Sequence, residues 1–161
     1  MLHSHTLLRA LPLFATLALA LALYGCSTTP RSKPVELAQL AAFSAQLNGA
    51  SQVPPVPRSL TSATGRVDAV LDKNTRLLRW KLSFQGLTGN AVSGHFHGPA
   101  ALNARAGVAL DFRGAVASPM EGQITLNAAQ AADLLAGKWY ADIHTLAFPG
   151  GEIRGQMTLR E

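Results

Sequence analysis

Apolar residues alternate with polar or small residues through much of the chain from Phe43 onward. The clearest run has an apolar side chain at every second position, at Leu78, Trp80, Leu82 and Phe84. Successive side chains of a β-strand point to opposite faces, so a period of two predicts strands that bury one face.

Eight segments of this kind are separated by clusters of glycine, proline and asparagine, which favour turns. They occupy residues 43–47, 67–71, 78–84, 92–97, 107–112, 122–126, 139–145 and 152–159. One further segment predicts a short helix over residues 128–136, because Asn127 suits an N-cap and Gly137 suits a helix end. The fold class expected from this pattern is all-β: a Greek-key antiparallel β-sandwich of about eight strands with one short helix.

The amino terminus carries a different pattern. Residues 11–23 are almost entirely apolar, and Arg9 is the sole formal charge before Cys26. This run is short for a stable membrane span, which needs about 20 apolar residues, and it predicts a secretory signal peptide. It ends at Cys26, the only cysteine, and this junction resembles the lipobox of bacterial lipoproteins, although Tyr24 stands where a small residue is usual.

We therefore expect a lipoprotein signal peptide at residues 1–25, a lipidated tether at 26–41 and a folded domain at 42–161. Lipidation of Cys26 would hold the mature chain at the membrane of a bacterial cell envelope, on the periplasmic or extracellular face. A plain signal peptide or an uncleaved anchor beside a buried thiol is the alternative.

Composition excludes two classes of protein. Hydrophobic residues make up 48% of the 161-residue chain, which argues against general disorder. The formal net charge is +5, but the 14 basic residues are scattered singly and form no basic run. A nucleic-acid partner is therefore not expected.

The histidines are the main candidates for chemistry. His3 and His5 belong to the predicted signal peptide, which leaves His95, His97 and His144 in the folded part. Two residues of a strand that are two positions apart share a face, so His95 and His97 form a chelating pair, and His144 completes a three-imidazole site if the two strands are neighbours. Three imidazole ligands without a nearby cysteine favour copper or zinc over magnesium or calcium.

Residues near these histidines have several possible roles. Asp142 shares a strand face with His144 and is expected to orient an imidazole from outside the metal's own ligands if a metal is bound, or otherwise to cap the sheet edge. Asp142, Met157 or a water could instead supply a fourth ligand, although Met157 suits the core better. Arg154 is a candidate cation near the site, and Glu152 on the same face is a candidate partner for it. Alternatively, the histidines only brace two strands.

Several motifs together resemble the CHRD domain, a module first described in chordin and widespread in bacterial secreted proteins. They are residues 43–49 (FSAQLNG), 53–56 (VPPV), 63–65 (ATG), 94–99 (GHFHGP), 139–145 (WYADIHT) and 149–156 (PGGEIRGQ). The chain departs from the family at Gln52, where a glutamate is frequent, and at Ala141 and Asp142, where valine and asparagine are common. The resemblance implies an immunoglobulin-like or superoxide-dismutase-like sandwich over residues 42–160 and no settled biochemical activity.

Residues 94–98 (GHFHG) also resemble the strand of Cu/Zn superoxide dismutases that supplies two copper ligands. The bridging histidine, the zinc loop and the structural disulfide of those enzymes have no counterpart that can be placed here. We therefore expect a copper-binding protein that is not an enzyme.

Three function classes follow. The first is a lipid-anchored module that binds copper or zinc for storage, delivery or sensing, with a metal-handling or cell-envelope protein as its partner. The second is an interaction or adhesion module that contacts protein or polysaccharide without metal. The third is a redox enzyme that uses the same histidines.

Overall fold

The computed structural model describes residues 39–112 and 116–160. The predicted signal peptide, Cys26 and most of the tether lie outside these residues. Besides a short 3-10 helix at Gly49–Ser51, nine strands and one α-helix are present in the described part. They are β1 (Leu40–Asn48), β2 (Thr64–Asp72), β3 (Leu77–Gln85), β4 (Ala91–His97), β5 (Val108–Asp111), β6 (Met120–Thr125), α1 (Ala128–Leu135), β7 (Tyr140–Thr145), β8 (Ile153–Gln156) and β9 (Thr158–Leu159).

The strands form one curled antiparallel sheet, in the order β5-β4-β7-β8-β1-β2-β3-β6, with β9 beside β1. Aromatic contacts show that the two ends of this order face each other. The Trp80 ring of β3 lies 5.7 Å from the Phe96 ring of β4 and 6.0 Å from the Phe112 ring, between ring centroids. The predicted all-β, sandwich-like class is confirmed.

The core lies inside the curl and is built from the alternating apolar residues. Phe43, Leu82 and Ile143 are among the fully buried side chains, as is Met157, which belongs to the same apolar cluster. The predicted last strand is divided, because Met157 leaves the sheet ladder and donates its N–H to the carbonyl of Trp139. Eight predicted segments thus become nine strands.

The helix agrees closely with expectation. Asn127 accepts a hydrogen bond from the Gln130 backbone, and the Gln130 side chain accepts one from the Asn127 backbone. This capping box satisfies two backbone donors that a helix start leaves unpaired. Gly137 follows the helix with a φ of +68°, a conformation that glycine adopts without steric cost. No helix among the described residues is long and apolar enough to cross a membrane.

One connection covers part of the outer face of the sheet. Residues 98–107, between β4 and β5, fold back over β4, β7 and β8, and we call this segment the roof loop. Ala100 is not part of a strand, and it donates its N–H to the backbone carbonyl of Lys138. The carbonyls of Ala104 and Ala106 accept hydrogen bonds from the side chains of Arg154 and His97 in the sheet. All six residues of β7 are buried as a result, so its two faces cannot be told apart by burial.

Candidate metal site

Cross-strand pairing aligns the candidate residues in a row on the outer face. His95 on β4 lies directly opposite Asp142 on β7, and Asp142 lies opposite Arg154 on β8. On the other side, His95 pairs with Asp111 of β5. His97 lies two residues after His95 on β4, and His144 lies two residues after Asp142 on β7. Because the two strands are antiparallel, these histidines lie on opposite sides of the row. Phe96 points the other way into the core, as its position between two outward histidines predicts.

Four donor atoms converge in this place. The Oδ1 atom of Asp142 lies 3.0 Å from His97 Nε2, 3.0 Å from His144 Nε2 and 3.8 Å from His95 Nδ1. His95 Nδ1 and His144 Nε2 are 3.2 Å apart. The group is largely buried, with side-chain exposures of 16% for His95 and 4% for Asp142.

The outer nitrogens of two histidines are held by backbone carbonyls. His97 Nδ1 lies 3.0 Å from the oxygen of Ala106, and His144 Nδ1 lies 2.9 Å from the oxygen of Pro149. A carbonyl only accepts, so each Nδ1 carries the proton and each neutral ring directs an unprotonated Nε2 at Asp142. Such outer contacts fix the tautomer and the ring orientation of metal-ligating histidines.

The inner atoms are therefore short of protons. When all three imidazoles are neutral, the inward nitrogens of His97 and His144 carry no proton. Only His95 can then direct a proton at Asp142 Oδ1 or at a neighbouring nitrogen. Lone pairs 3.0 Å apart repel one another unless a positive charge lies between them. The arrangement is stable around a cation, which is either an added proton or a metal ion.

The pKa values report the same demand for positive charge. Burial alone lowers the pKa of His144, but the hydrogen bond and the charge of Asp142 outweigh burial, and the net pKa lies above 6.5. Burial alone raises the pKa of Asp142, but the hydrogen bonds that His144 and His97 donate when they are protonated bring it below its usual value. Burial and the neighbouring His144 lower the pKa of His95.

The spacing fits a first-row transition metal. Bonds of about 2.0–2.1 Å at tetrahedral angles separate ligand atoms by roughly 3.4 Å. The measured separations of 3.0, 3.2 and 3.8 Å lie on both sides of that value. All four atoms lie within 4.8 Å of one another, so the widest pair must close by up to about 1.4 Å, which rotation of the side chains would supply. The group can hold a metal ion.

Tyr140 and Arg154 support the site from the side. The Tyr140 ring stacks on His97, with centroids 4.8 Å apart and planes 4° from parallel, and the Arg154 guanidinium carbon lies 3.5 Å from the centre of the same ring. Arg154 also donates a hydrogen bond of 2.7 Å to Ala104 in the roof loop. Arg154 thus lies near the site but has no hydrogen bond to a histidine.

Two expectations about neighbouring residues change. Glu152 does not pair with Arg154; its carboxylate accepts hydrogen bonds from Thr61, Thr88 and Thr145. Met157 is fully buried in the apolar core, on the opposite side of the sheet from the histidines, so it is not a fourth ligand.

Sequence reasoning missed several residues that border the histidine and aspartate group. Tyr140 could have been found, because it shares strand parity with Asp142 and His144. Asp111, whose carboxylate lies 3.9 Å from His95 Nε2, depends on the pairing of β5 with β4. The carbonyls of Ala106 and Pro149 depend on loop conformation, which no residue pattern reveals.

Comparison with known proteins places this geometry in a family. No match to the chain is found among curated proteins or among solved structures. The family model for the CHRD domain matches residues 43–157, which include β2 to β8 and all but the first three residues of β1, while β9 lies just beyond the match. The match spans every residue of the histidine and aspartate group, and the chain belongs to the CHRD domain family.

Proposed function

We propose that this CHRD domain binds a transition metal ion through His95, His97 and His144. The observation that carries the proposal is the proton shortage at the site: two Nε2 lone pairs face one buried carboxylate oxygen at 3.0 Å. A bound metal ion replaces the missing protons and satisfies all these atoms at once.

Copper is the favoured ion and zinc the alternative. Imidazole nitrogen suits both, and magnesium or calcium would require a set of oxygen ligands that the group does not offer. A resident metal on a rigid sheet suits storage, delivery or sensing, with a metal-handling or other cell-envelope protein as the donor or recipient. We assign no catalytic activity to the site.

The expected location is the bacterial cell envelope, with the domain held at the membrane through lipidated Cys26. The support is the apolar run that ends at this cysteine. Cys26→Ser should yield soluble or unprocessed protein, whereas the wild type should enter the detergent phase of a detergent extraction. Wild-type protein in the aqueous phase would contradict the lipid anchor.

Metal content tests the main proposal. Elemental analysis of the purified protein should find copper or zinc, and calorimetric titration should show one site. His97→Ala and His144→Ala should each weaken binding by at least about 100-fold, because each removes a ligand atom. Asn74→Ala, in the exposed turn between β2 and β3 and at the opposite end of β1 from Arg154, is the matched control and should bind as the wild type does.

The opposite result is equally clear. Absence of binding tighter than about millimolar would reject the metal site and leave the interaction or adhesion module, with the histidines as structural residues. Turnover of superoxide by the metal-loaded protein would instead indicate a redox enzyme.

A further inference from the structure

Asp142 holds an unusual position among the charged groups of the site. Its carboxylate is 4% exposed, and among described residues no lysine or arginine nitrogen lies within 4.0 Å of it. Arg154, its direct cross-strand neighbour, contacts Tyr140 and Ala104 instead. Asp142 therefore faces the site as a negative charge whose close neighbours are imidazoles.

Its placement is that of a ligand. Asp142 Oδ1 lies close to all three inward nitrogens. The distances are 3.0 Å to His97 Nε2, 3.0 Å to His144 Nε2 and 3.8 Å to His95 Nδ1. A carboxylate that only oriented an imidazole would contact the outer nitrogens, and backbone carbonyls already occupy those of His97 and His144.

The charge of this group distinguishes between ions. Three neutral imidazoles bind a monovalent or a divalent ion through the same lone pairs. At equal distance, the attraction of a carboxylate for a divalent ion is twice its attraction for a monovalent ion, and a buried location reduces the screening by water. A buried carboxylate also needs a compensating charge, which a divalent ion supplies more fully.

Ligand chemistry leads to the same preference. Cu(I) is selected by the soft sulfur ligands of cysteine and methionine. The described residues of the site contribute three nitrogens and one oxygen, and the nearby methionine, Met157, is in the core. This donor set suits Cu(II) and Zn(II).

We propose that Asp142 is the fourth ligand and that its charge makes the site selective for divalent ions over Cu(I). This inference rests on the proposed metal-binding function, and it chooses the ligand role among the roles that the sequence left open for Asp142. The consequence is a site that holds copper firmly in its oxidised form and weakly in its reduced form.

The test compares the affinities of the full-length protein for Cu(II), Zn(II) and Cu(I), each by competition with a chelator of known affinity. The wild type should bind Cu(II) more tightly than Cu(I). Asp142→Asn, which keeps the shape and one oxygen but removes the charge, should weaken Cu(II) and Zn(II) by at least about tenfold and Cu(I) by less than about threefold.

Asp111→Asn is the matched control. It removes one negative charge that lies 3.9 Å from the outer nitrogen of His95, on an exposed side chain. Screening by water should limit its effect on every ion to less than about threefold. If Asp111→Asn changes the Cu(II) to Cu(I) ratio as much as Asp142→Asn does, the preference is general electrostatics and the proposal is overturned.

The remaining outcomes also decide. Equal weakening of all three ions in Asp142→Asn, or tighter wild-type binding of Cu(I) than of Cu(II), overturns the proposal while leaving a metal site in place. Absence of binding of any ion refutes the proposed function itself. If Asp142→Asn does not fold, two measurements on the wild type still test the assignment. They are the Cu(II) to Cu(I) affinity ratio and the continuous-wave paramagnetic resonance spectrum of the Cu(II) form, whose g and copper hyperfine values should indicate three nitrogen ligands and one oxygen.

Discussion

Two carboxylates are buried in the described part of the chain, and their surroundings are opposite in kind. Glu152 accepts hydrogen bonds from the hydroxyls of Thr61, Thr145 and Thr88 at 2.6, 2.7 and 2.9 Å, and from the Thr88 N–H at 3.0 Å. All of these neighbours donate, so the oxygens of Glu152 are satisfied by the protein. Asp142 faces unprotonated nitrogens and is satisfied only by an added cation.

Glu152 should therefore contribute to stability and not to metal binding. Glu152→Gln removes the charge from these hydrogen bonds and should lower the free energy of unfolding by about 1.5–3 kcal/mol. Urea unfolding at neutral pH measures the loss. Glu121→Gln, at an exposed pair with Lys81, is the control and should change stability by less than about 1 kcal/mol.

The same residue predicts a dependence on pH. Burial alone raises the pKa of Glu152, but the hydrogen bonds from Thr61, Thr145 and Thr88 outweigh it, and the net pKa lies below 4.5. A lowered carboxyl pKa stabilises the fold above the unfolded-state value and loses that effect as pH falls through the folded-state value. The difference in stability between wild type and Glu152→Gln should shrink in that acid range; a constant difference would contradict this account.

At the scale of strands, β8 is placed by a close backbone approach. A Cβ atom on Gly155 would lie 2.4 Å from the carbonyl oxygen of Gln46 on β1, far inside van der Waals contact. Backbone of a paired strand cannot move aside as a side chain can. The absence of a side chain at this position lets β8 lie against β1 while it carries Arg154 on its outer face.

Gly155→Ala should destabilise the domain by at least about 1–3 kcal/mol, as overpacking of a dense interior does. Gly150→Ala is the matched control, because a Cβ there meets nothing within 4 Å. Thermal unfolding of the two variants should show a lower midpoint for Gly155→Ala only. Equal midpoints would mean that β1 and β8 adjust to the added methyl group.

Strand elements and the face of each histidine could be predicted because a single period determines both. His95 and His97 flank Phe96, so burial of the phenylalanine directs both imidazoles outward. Which strands are neighbours could not be predicted from that period, since it carries no information on sheet order. The partners of Glu152 illustrate the limit: Thr61 and Thr88 are 91 and 64 positions away and meet it only through the fold.

For the whole molecule, metal binding should raise thermal stability by mass action. A free ion concentration of about 100 times the dissociation constant adds roughly 2.7 kcal/mol to the free energy of unfolding. Differential scanning calorimetry with and without Cu(II) or Zn(II) measures the shift. His144→Ala should show little shift, and a shift as large as that of the wild type would place the ion elsewhere.

This stabilisation should depend on pH through His144. Its pKa lies above 6.5, so the metal-free fold gains stability from protonated His144 below 6.5 and loses it as pH rises through the folded-state pKa. Metal requires the neutral ring. The metal-induced shift in melting temperature should therefore grow as pH rises through that pKa and be smallest in acid; a shift that is constant with pH would contradict proton competition.

The two faces of β4 separate architecture from chemistry. Phe96 packs against Trp80, Phe112 and Trp139, whereas His95 and His97 contribute nothing to that packing. Replacing the histidines leaves the interior intact, and altering the interior leaves the identity of the ligands intact. The outward side chains of β4 and β7 can therefore change their chemistry without a change in the interior that holds these strands in place.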